Sequence, residues 1–323
     1  MTQKGQTLAS GLATVAALLF AALPGTAAQT YLGIGVVLQV NPERSELVVS
    51  MQEIPGFMDA MVMPLPVRQR RDLEGLHPGT MIDFTLVVSE KSYAAENVRV
   101  HPFLSVENDP QGACRIEVLE KALAKSRSSE SALAVGQHVP NFSLTDQNRQ
   151  TVALSQFAGK VVAMTFVYTR CPLPNFCFRL SNNFGQLQKR FSKQMGSDLI
   201  LLTVTLDPAN DQPEALAKYG STWKANAASW RFLTGSPSAI MKVTSMFGVV
   251  YNPDEGLMTH SLHTVILDRR GDLVANLEGN EFTAQQLGDL VQTVLNHAPS
   301  FSRTQSTTTS PREFPSPSSP GRQ

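Results

Sequence analysis

Two cysteines close together, Cys171 and Cys177, are the residues in this chain best equipped for chemistry. A thiolate is both the nucleophile of disulfide exchange and a soft ligand for Cu(I). Cys171 follows a nearly continuous apolar run, residues 160–168, that reads as a strand buried on both faces. Cys177 precedes Leu180, Phe184, Leu187 and Phe191, which share one helical face. A strand end and a helix N-terminus supply amide donors and the positive end of the helix dipole, which favours thiolate at both positions. Six residues of straight helix would part the two Cα atoms by ~9 Å, beyond the ~7 Å limit of a disulfide. Pro172 and Pro174 prevent a straight helix, so the loop folds back and can bring the sulfurs together. The bland alternative is a structural disulfide closing that loop.

Other soft donors are in reach. His260 and His263 are three apart, so on an extended segment they face opposite ways and only one can join the cysteines. Met61 and Met63 are two apart, which on a strand puts both thioethers on one face; Met58 lies just before them and Met51 ends the preceding run. Thioethers favour Cu(I), although methionine also fills irregular gaps in cores. Asp207 ends a second apolar run before Pro208, where a carboxylate can orient a ligand, assist proton transfer or simply begin a turn.

The elements that must position these residues fall into two halves. Residues 31–103 read as short strands with turns at residues 41–44 and at Pro78-Gly79, the pattern of a small all-β barrel. From residue 136 strands and helices alternate to residue 298, which implies one sheet with helices on both faces. Asp211 and Glu214 have capping spacing before a helix, Ser236-Pro237 opens another, and Thr283 with Gln286 forms a capping box for the last. Residues 104–135 read as a linker with one helical segment, residues 115–124, and residues 299–323 as a disordered tail of Ser, Thr, Pro and Arg.

Lys plus Arg, 27, equals Asp plus Glu, 27, so no global field attracts nucleic acid. Residues 1–28 have a lysine, an apolar run and small residues in the order of an export signal, which places the remainder outside the cytoplasm. Left uncleaved, the run would anchor the chain to the inner membrane. Three cysteines are too few for a disulfide scaffold, and Cys114 stands alone in the linker, an unpaired thiol or the link of a disulfide dimer.

The second half resembles the Sco/SenC proteins, thioredoxin-like copper proteins that help load the dinuclear copper centre of cytochrome c oxidase. The resemblance rests on Pro140-Asn141-Phe142-Ser143-Leu144, Thr169-Arg170-Cys171-Pro172 with Cys177, Leu206-Asp207-Pro208 followed by Asp211 and Pro213, and His260-Ser261 ahead of Gly271. It implies copper ligation by Cys171, Cys177 and His260. Five residues separate the cysteines here where the family usually has three. The first half, from Ile54-Pro55-Gly56-Phe57-Met58 through Met61-Val62-Met63-Pro64 to Leu76-His77-Pro78-Gly79, resembles the CusF-like periplasmic copper module, a five-stranded barrel of the OB-like kind. That resemblance implies Met61 and Met63 as ligands, with Met51 in place of its histidine and Met58 near its capping tryptophan.

The expectation is a two-domain periplasmic or secreted copper metallochaperone, an OB-like barrel followed by a thioredoxin-like α/β fold. It would hold Cu(I), and at the thiol site also Cu(II), for the copper-bearing subunit of cytochrome c oxidase or another periplasmic copper protein. Two alternatives remain: a metal-independent thiol–disulfide oxidoreductase using Cys171 and Cys177, with Asp207 as auxiliary, and a copper storage or detoxification protein. A peroxidase is a weaker reading, because Tyr168 stands where a peroxiredoxin-type site needs Thr or Ser.

Overall fold

The computed structural model describes residues 28–102, 132–254 and 257–297. The export signal, Cys114, the helical segment of the linker and the tail expected from sequence lie outside the described residues.

The first sheet holds β1 (Gln29–Asn41), β2 (Glu46–Met51), β3 (Val62–Pro66), β4 (Met81–Val88) and β5 (Tyr93–Val100), all antiparallel, in the order β3-β2-β1-β4-β5. Its interior is built from one face of each strand, with Val37, Leu47, Val49, Met51, Leu65, Ile82 and Phe84 buried together. The edges β3 and β5 curl toward each other and meet at a bridge between Val67 and Ala95, helped by the Tyr93 hydroxyl donating to the Pro64 carbonyl at 2.9 Å. No continuous ladder joins them among the described residues, so the sheet is curled but not a closed barrel of the OB-like kind. A short edge strand explains this: β3 runs five residues and carries two prolines, which cannot donate to a ladder.

The second sheet begins with β6 (Ser143–Asp146), β7 (Thr151–Ala153) and β8 (Val161–Val167). There follow α1 (Arg179–Arg190), β9 (Leu199–Thr205), α2 (Pro213–Thr222), β10 (Trp230–Thr234) and α3 (Pro237–Met246). The chain ends with the hairpins β11 (Tyr251–Asp254) with β12 (Leu257–His260) and β13 (His263–Leu267) with β14 (Leu273–Glu278), then α4 (Ala284–Asn296). The order is β14-β13-β8-β9-β10-β6-β7, with β8, β9 and β10 parallel and β13 antiparallel to β8. This is a thioredoxin-like sheet.

Every residue of β8 and β9 is buried, as expected for central strands covered on both faces. Leu180, Phe184 and Leu187 of α1 and Leu287, Leu290 and Val291 of α4 pack on one face. Ile240 and Val243 of α3 cover the other. Ser236 caps α3 by accepting from the Ala239 amide, and Thr283 with Gln286 completes the capping box of α4. The expected Asp211–Glu214 cap does not form. Gln212 occupies the N-cap of α2 without capping it, its side-chain amide donating to the Pro208 carbonyl at 2.7 Å, while the Asp211 carboxylate turns back to Thr169 and Thr205.

The two sheets share a core. Val36 and Leu38 leave the interior of the first sheet and pack with α1 and α4, while Val37 between them faces inward. Alternation along one strand thus serves two cores. Gly79 closes the approach: its φ is +88°, and a Cβ there would lie 2.7 Å from that of Ala275 on β14. Among the described residues no helix is long and apolar enough to cross a membrane.

Candidate metal centre

Cys171 sits on the segment that leaves β8, and Asp211 holds that segment. Its carboxylate accepts from the Thr169 amide at 3.0 Å, the Thr169 hydroxyl at 2.6 Å and the Thr205 hydroxyl at 2.5 Å. Asp207 is committed elsewhere: it accepts from Arg170 at 2.7 Å and from the Asn210 amide. The structure therefore gives Asp207 a loop-holding contact with Arg170. The extra residues between the cysteines are taken up by a wide helical turn, Pro174–Phe178, in which Phe176 leaves helical dihedrals at φ −107° and ψ −110°. Cys177 then enters the core just before α1, 1% exposed, beside Leu180 and Phe184.

Both thiols are free. They are near neighbours, and that proximity splits their acidities: the Cys177 thiol is the first cause bringing Cys171 down to about 6. Burial pushes Cys177 well above the usual thiol range, and the neighbouring Cys171 adds to it. Cys171 is thus acidified chiefly by its neighbouring thiol and only secondarily by backbone amides, while at Cys177 desolvation of the charged form outweighs any help from the helix start.

His260 reaches the same place from the far hairpin. Its Nδ1–H donates to the Ser261 carbonyl at 2.9 Å, which leaves the Nε2 lone pair facing the Cys177 sulfur at 3.6 Å. Burial lowers its pKa to about 4, so the imidazole is neutral near pH 7 and needs no deprotonation to bind a metal. His263 is turned to Asn276 Oδ1 on β14 at 2.9 Å. Among the described residues no three His, Cys, Asp or Glu donors already converge on one point, so a metal would draw Cys171 toward the Cys177–His260 pair. Two thiols and a neutral imidazole on movable side chains fit a soft cation and suit neither Mg²⁺ nor Ca²⁺.

Sequence reasoning passed over Tyr168 as a member of this site. Its ring meets the His260 ring edge-on at 5.7 Å, and its hydroxyl is near enough to both thiols to feel their charge. Tyr219 lies close enough to both thiols to feel their charge, and burial pushes its own pKa up to about 12. A tyrosine ending an apolar strand was the available signal for Tyr168; nothing local marked Tyr219.

The methionines are arranged across β2 and β3. Met63 pairs with Val49, and the Met51 amide donates to the Met61 carbonyl at 2.8 Å, which continues the same register. Directly opposed residues share a face, so Met51, Met61 and Met63 line one side. They grade from core to solvent: Met51 is wholly buried, Met63 half-buried and Met61 46% exposed. Met58 packs on the same core after a turn in which its amide donates to Ile54. One residue before it, Phe57 stacks on Tyr31 with ring centroids 3.8 Å apart, an aromatic pair that the sequence did not disclose.

A central thioredoxin-like strand that delivers one thiol, a helix start that delivers a second and a hairpin that adds an imidazole define a thioredoxin-like protein with a thiol–imidazole centre. The SCO1/SenC family model matches residues 131–296, and the model of the copper binding periplasmic protein CusF matches residues 30–100. The chain belongs to the SCO1/SenC family. It is 27% identical over 149 residues to the SCO1 protein homolog of Bacillus subtilis, covering 45% of this chain and 76% of that one. Yeast Sco1 with copper bound superposes with a TM-score of 0.45 and 24% identity over 55% of this chain and 97% of its own. BsSco, described as a member of the Sco family of cytochrome c oxidase assembly proteins, gives 0.44 and 23% over 52% and 98%.

Proposed function

We propose that this chain is an exported copper metallochaperone that carries Cu(I) on a methionine face and on a Cys171–Cys177–His260 centre, and supplies a copper-bearing subunit of cytochrome c oxidase. The observation that carries the reading is the orientation of His260: a neutral imidazole aims its lone pair at a buried thiol, which sets a nitrogen and a sulfur donor side by side for a soft cation. Copper is cargo here. The two thiols lose their protons to solvent as the metal binds, Tyr168 steadies Cys171, and the low-dielectric wall around Cys177 disfavours hydrated, hard cations. Cys171, partly exposed, is the sulfur that an incoming acceptor ligand meets first. The periplasm is the compartment that the leader and the CusF resemblance support.

Copper titration of the reduced chain tests this. Two Cu(I) equivalents per chain are expected. His260→Ala should weaken the thiolate equivalent by more than ~100-fold, beyond what loss of an outer-shell partner costs. Unchanged stoichiometry and affinity in Cys171→Ser, Cys177→Ser and His260→Ala would refute the centre.

A second reading has a specific observation behind it. An acidified, accessible thiol next to a buried one is how a nucleophilic and a resolving cysteine are arranged in disulfide exchange. Such an activity would reduce the acceptor's own cysteines. It should persist in His260→Ala without copper.

A further inference from the structure

The segment that begins at Asn280 and enters α4 touches residues beside both sets of sulfur donors. On one side the Asn280 side chain donates to the Asn175 carbonyl within the cysteine loop, and Arg179, just after Cys177, donates to the Glu281 carbonyl at 3.2 Å. On the other side the Gln285 amide donates to the Ala60 carbonyl at 3.3 Å, next to Met61. The Gln286 amide donates to the Ser50 carbonyl at 3.0 Å, next to Met51. Asn280 and Gln285 are five residues apart, so even fully extended they span at most ~18 Å. The methionine edge and the cysteine loop are therefore held along one short stretch of a single chain.

We propose that the two sites act in sequence within one molecule, with Cu(I) taken up on the methionine face and handed directly to Cys171, Cys177 and His260 across the contact that the segment 280–286 holds. This rests on the metallochaperone reading and adds a direction and a route. Thioethers are neutral donors and thiolates are charged ones, so transfer toward the cysteines is downhill for a monovalent soft cation. Copper stays Cu(I) throughout: bonds to thioether sulfur break, bonds to thiolate sulfur and imidazole nitrogen form, and the two thiol protons pass to solvent. The exposed loop that carries Phe57 and Met61 is the part that must move. Tethering makes the step intramolecular, with an effective concentration on the order of mM.

The test follows Cu(I), offered in limiting amount as its bicinchoninate complex, by the ultraviolet charge-transfer absorption of Cu(I)–thiolate. Arrival at the cysteines in the whole chain should be independent of protein concentration and about tenfold or more slower in Met61→Leu/Met63→Leu, a swap that keeps core volume. A mixture of Cys171→Ser/Cys177→Ser chains, preloaded with Cu(I), and Met61→Leu/Met63→Leu chains should transfer with second-order kinetics. Equal rates for the whole chain and the double leucine variant, or a mixture as fast as the whole chain, would overturn the handover while leaving both sites intact. Failure of either site to bind copper in titration would instead remove the function on which it rests.

Discussion

Ser50 and Asp289, 239 positions apart in sequence, are joined by a buried hydrogen bond of 2.7 Å that ties the methionine-bearing sheet to the last helix. Asp289 also accepts from Arg190 at 2.7 Å, so one carboxylate locks β2, α1 and α4 together. Asp289→Ala would leave the Ser50 hydroxyl buried without an acceptor. A loss of about 2 kcal/mol is expected, read as a lower midpoint in urea. Hydrogen exchange should rise in β2 and the first turns of α4 before it rises in β8 and β9.

Alkylation should separate the two thiols. In the reduced, metal-free chain, Cys171 should react with iodoacetamide along a titration curve centred near pH 6, while buried Cys177 stays slow throughout neutral pH. Cys177→Ala removes the first cause of that acidity. The midpoint of Cys171 should then move up toward the ~8.5 of a free thiol. Mass spectrometry of the alkylated peptides decides the matter, and equal rates at the two sulfurs would contradict the geometry.

Much of the fold was legible because its elements obey their own periods. The nearly continuous apolar runs of β8 and β9, the single apolar face of α1 and the Thr283–Gln286 box all announced themselves. What failed to show was whatever depended on a partner distant in sequence. Val36, Val37 and Leu38 fall within one of the short strands read from the sequence, and only the folded chain reveals that neighbours serve different cores. Asp211 had the spacing of a helix cap, yet three donors around β8 claim its carboxylate. For His260 the spacing rule said that one of two histidines could join the thiols, and the family resemblance chose which. A hairpin, β11–β12, that no sequence signal marked puts it there. Barrel closure was expected from a run of short strands and from the CusF-like resemblance, neither of which says whether these particular edges meet.

Acid should weaken the fold through the same imidazole that faces Cys177. His260 has a folded pKa of about 4 against about 6.5 in an unfolded chain. Between those values the unfolded chain takes up a proton that the folded one refuses, so stability is full above pH 6.5 and falls as the pH drops toward 4. The loss amounts to about 3 kcal/mol. His263, also lowered by burial, adds in the same direction. Chemical denaturation of the reduced, metal-free chain between pH 7 and 4 measures this, and His260→Asn should flatten part of the slope.

At the other end of the pH scale the contact between the two sheets should loosen. His101 at the end of the first sheet bonds Asp83 through Nδ1 at 2.6 Å and Glu281 through Nε2 at 2.5 Å, with Arg99 also 3.7 Å from Asp83. Burial acts to lower its pKa, but the bonds to the two carboxylates outweigh that and raise it above the ordinary value. A raised histidine contributes stability that is present below the unfolded pKa and is lost as the pH rises through the folded one. Hydrogen exchange at residues 279–283, the stretch that also holds Asn175, should therefore increase from pH 6 to pH 9, after correction for the intrinsic rate. In His101→Gln one or both bonds persist as neutral contacts, so that increase should largely vanish. If exchange in the variant rose as steeply as in the parent, the clamp would not be what couples this segment to pH.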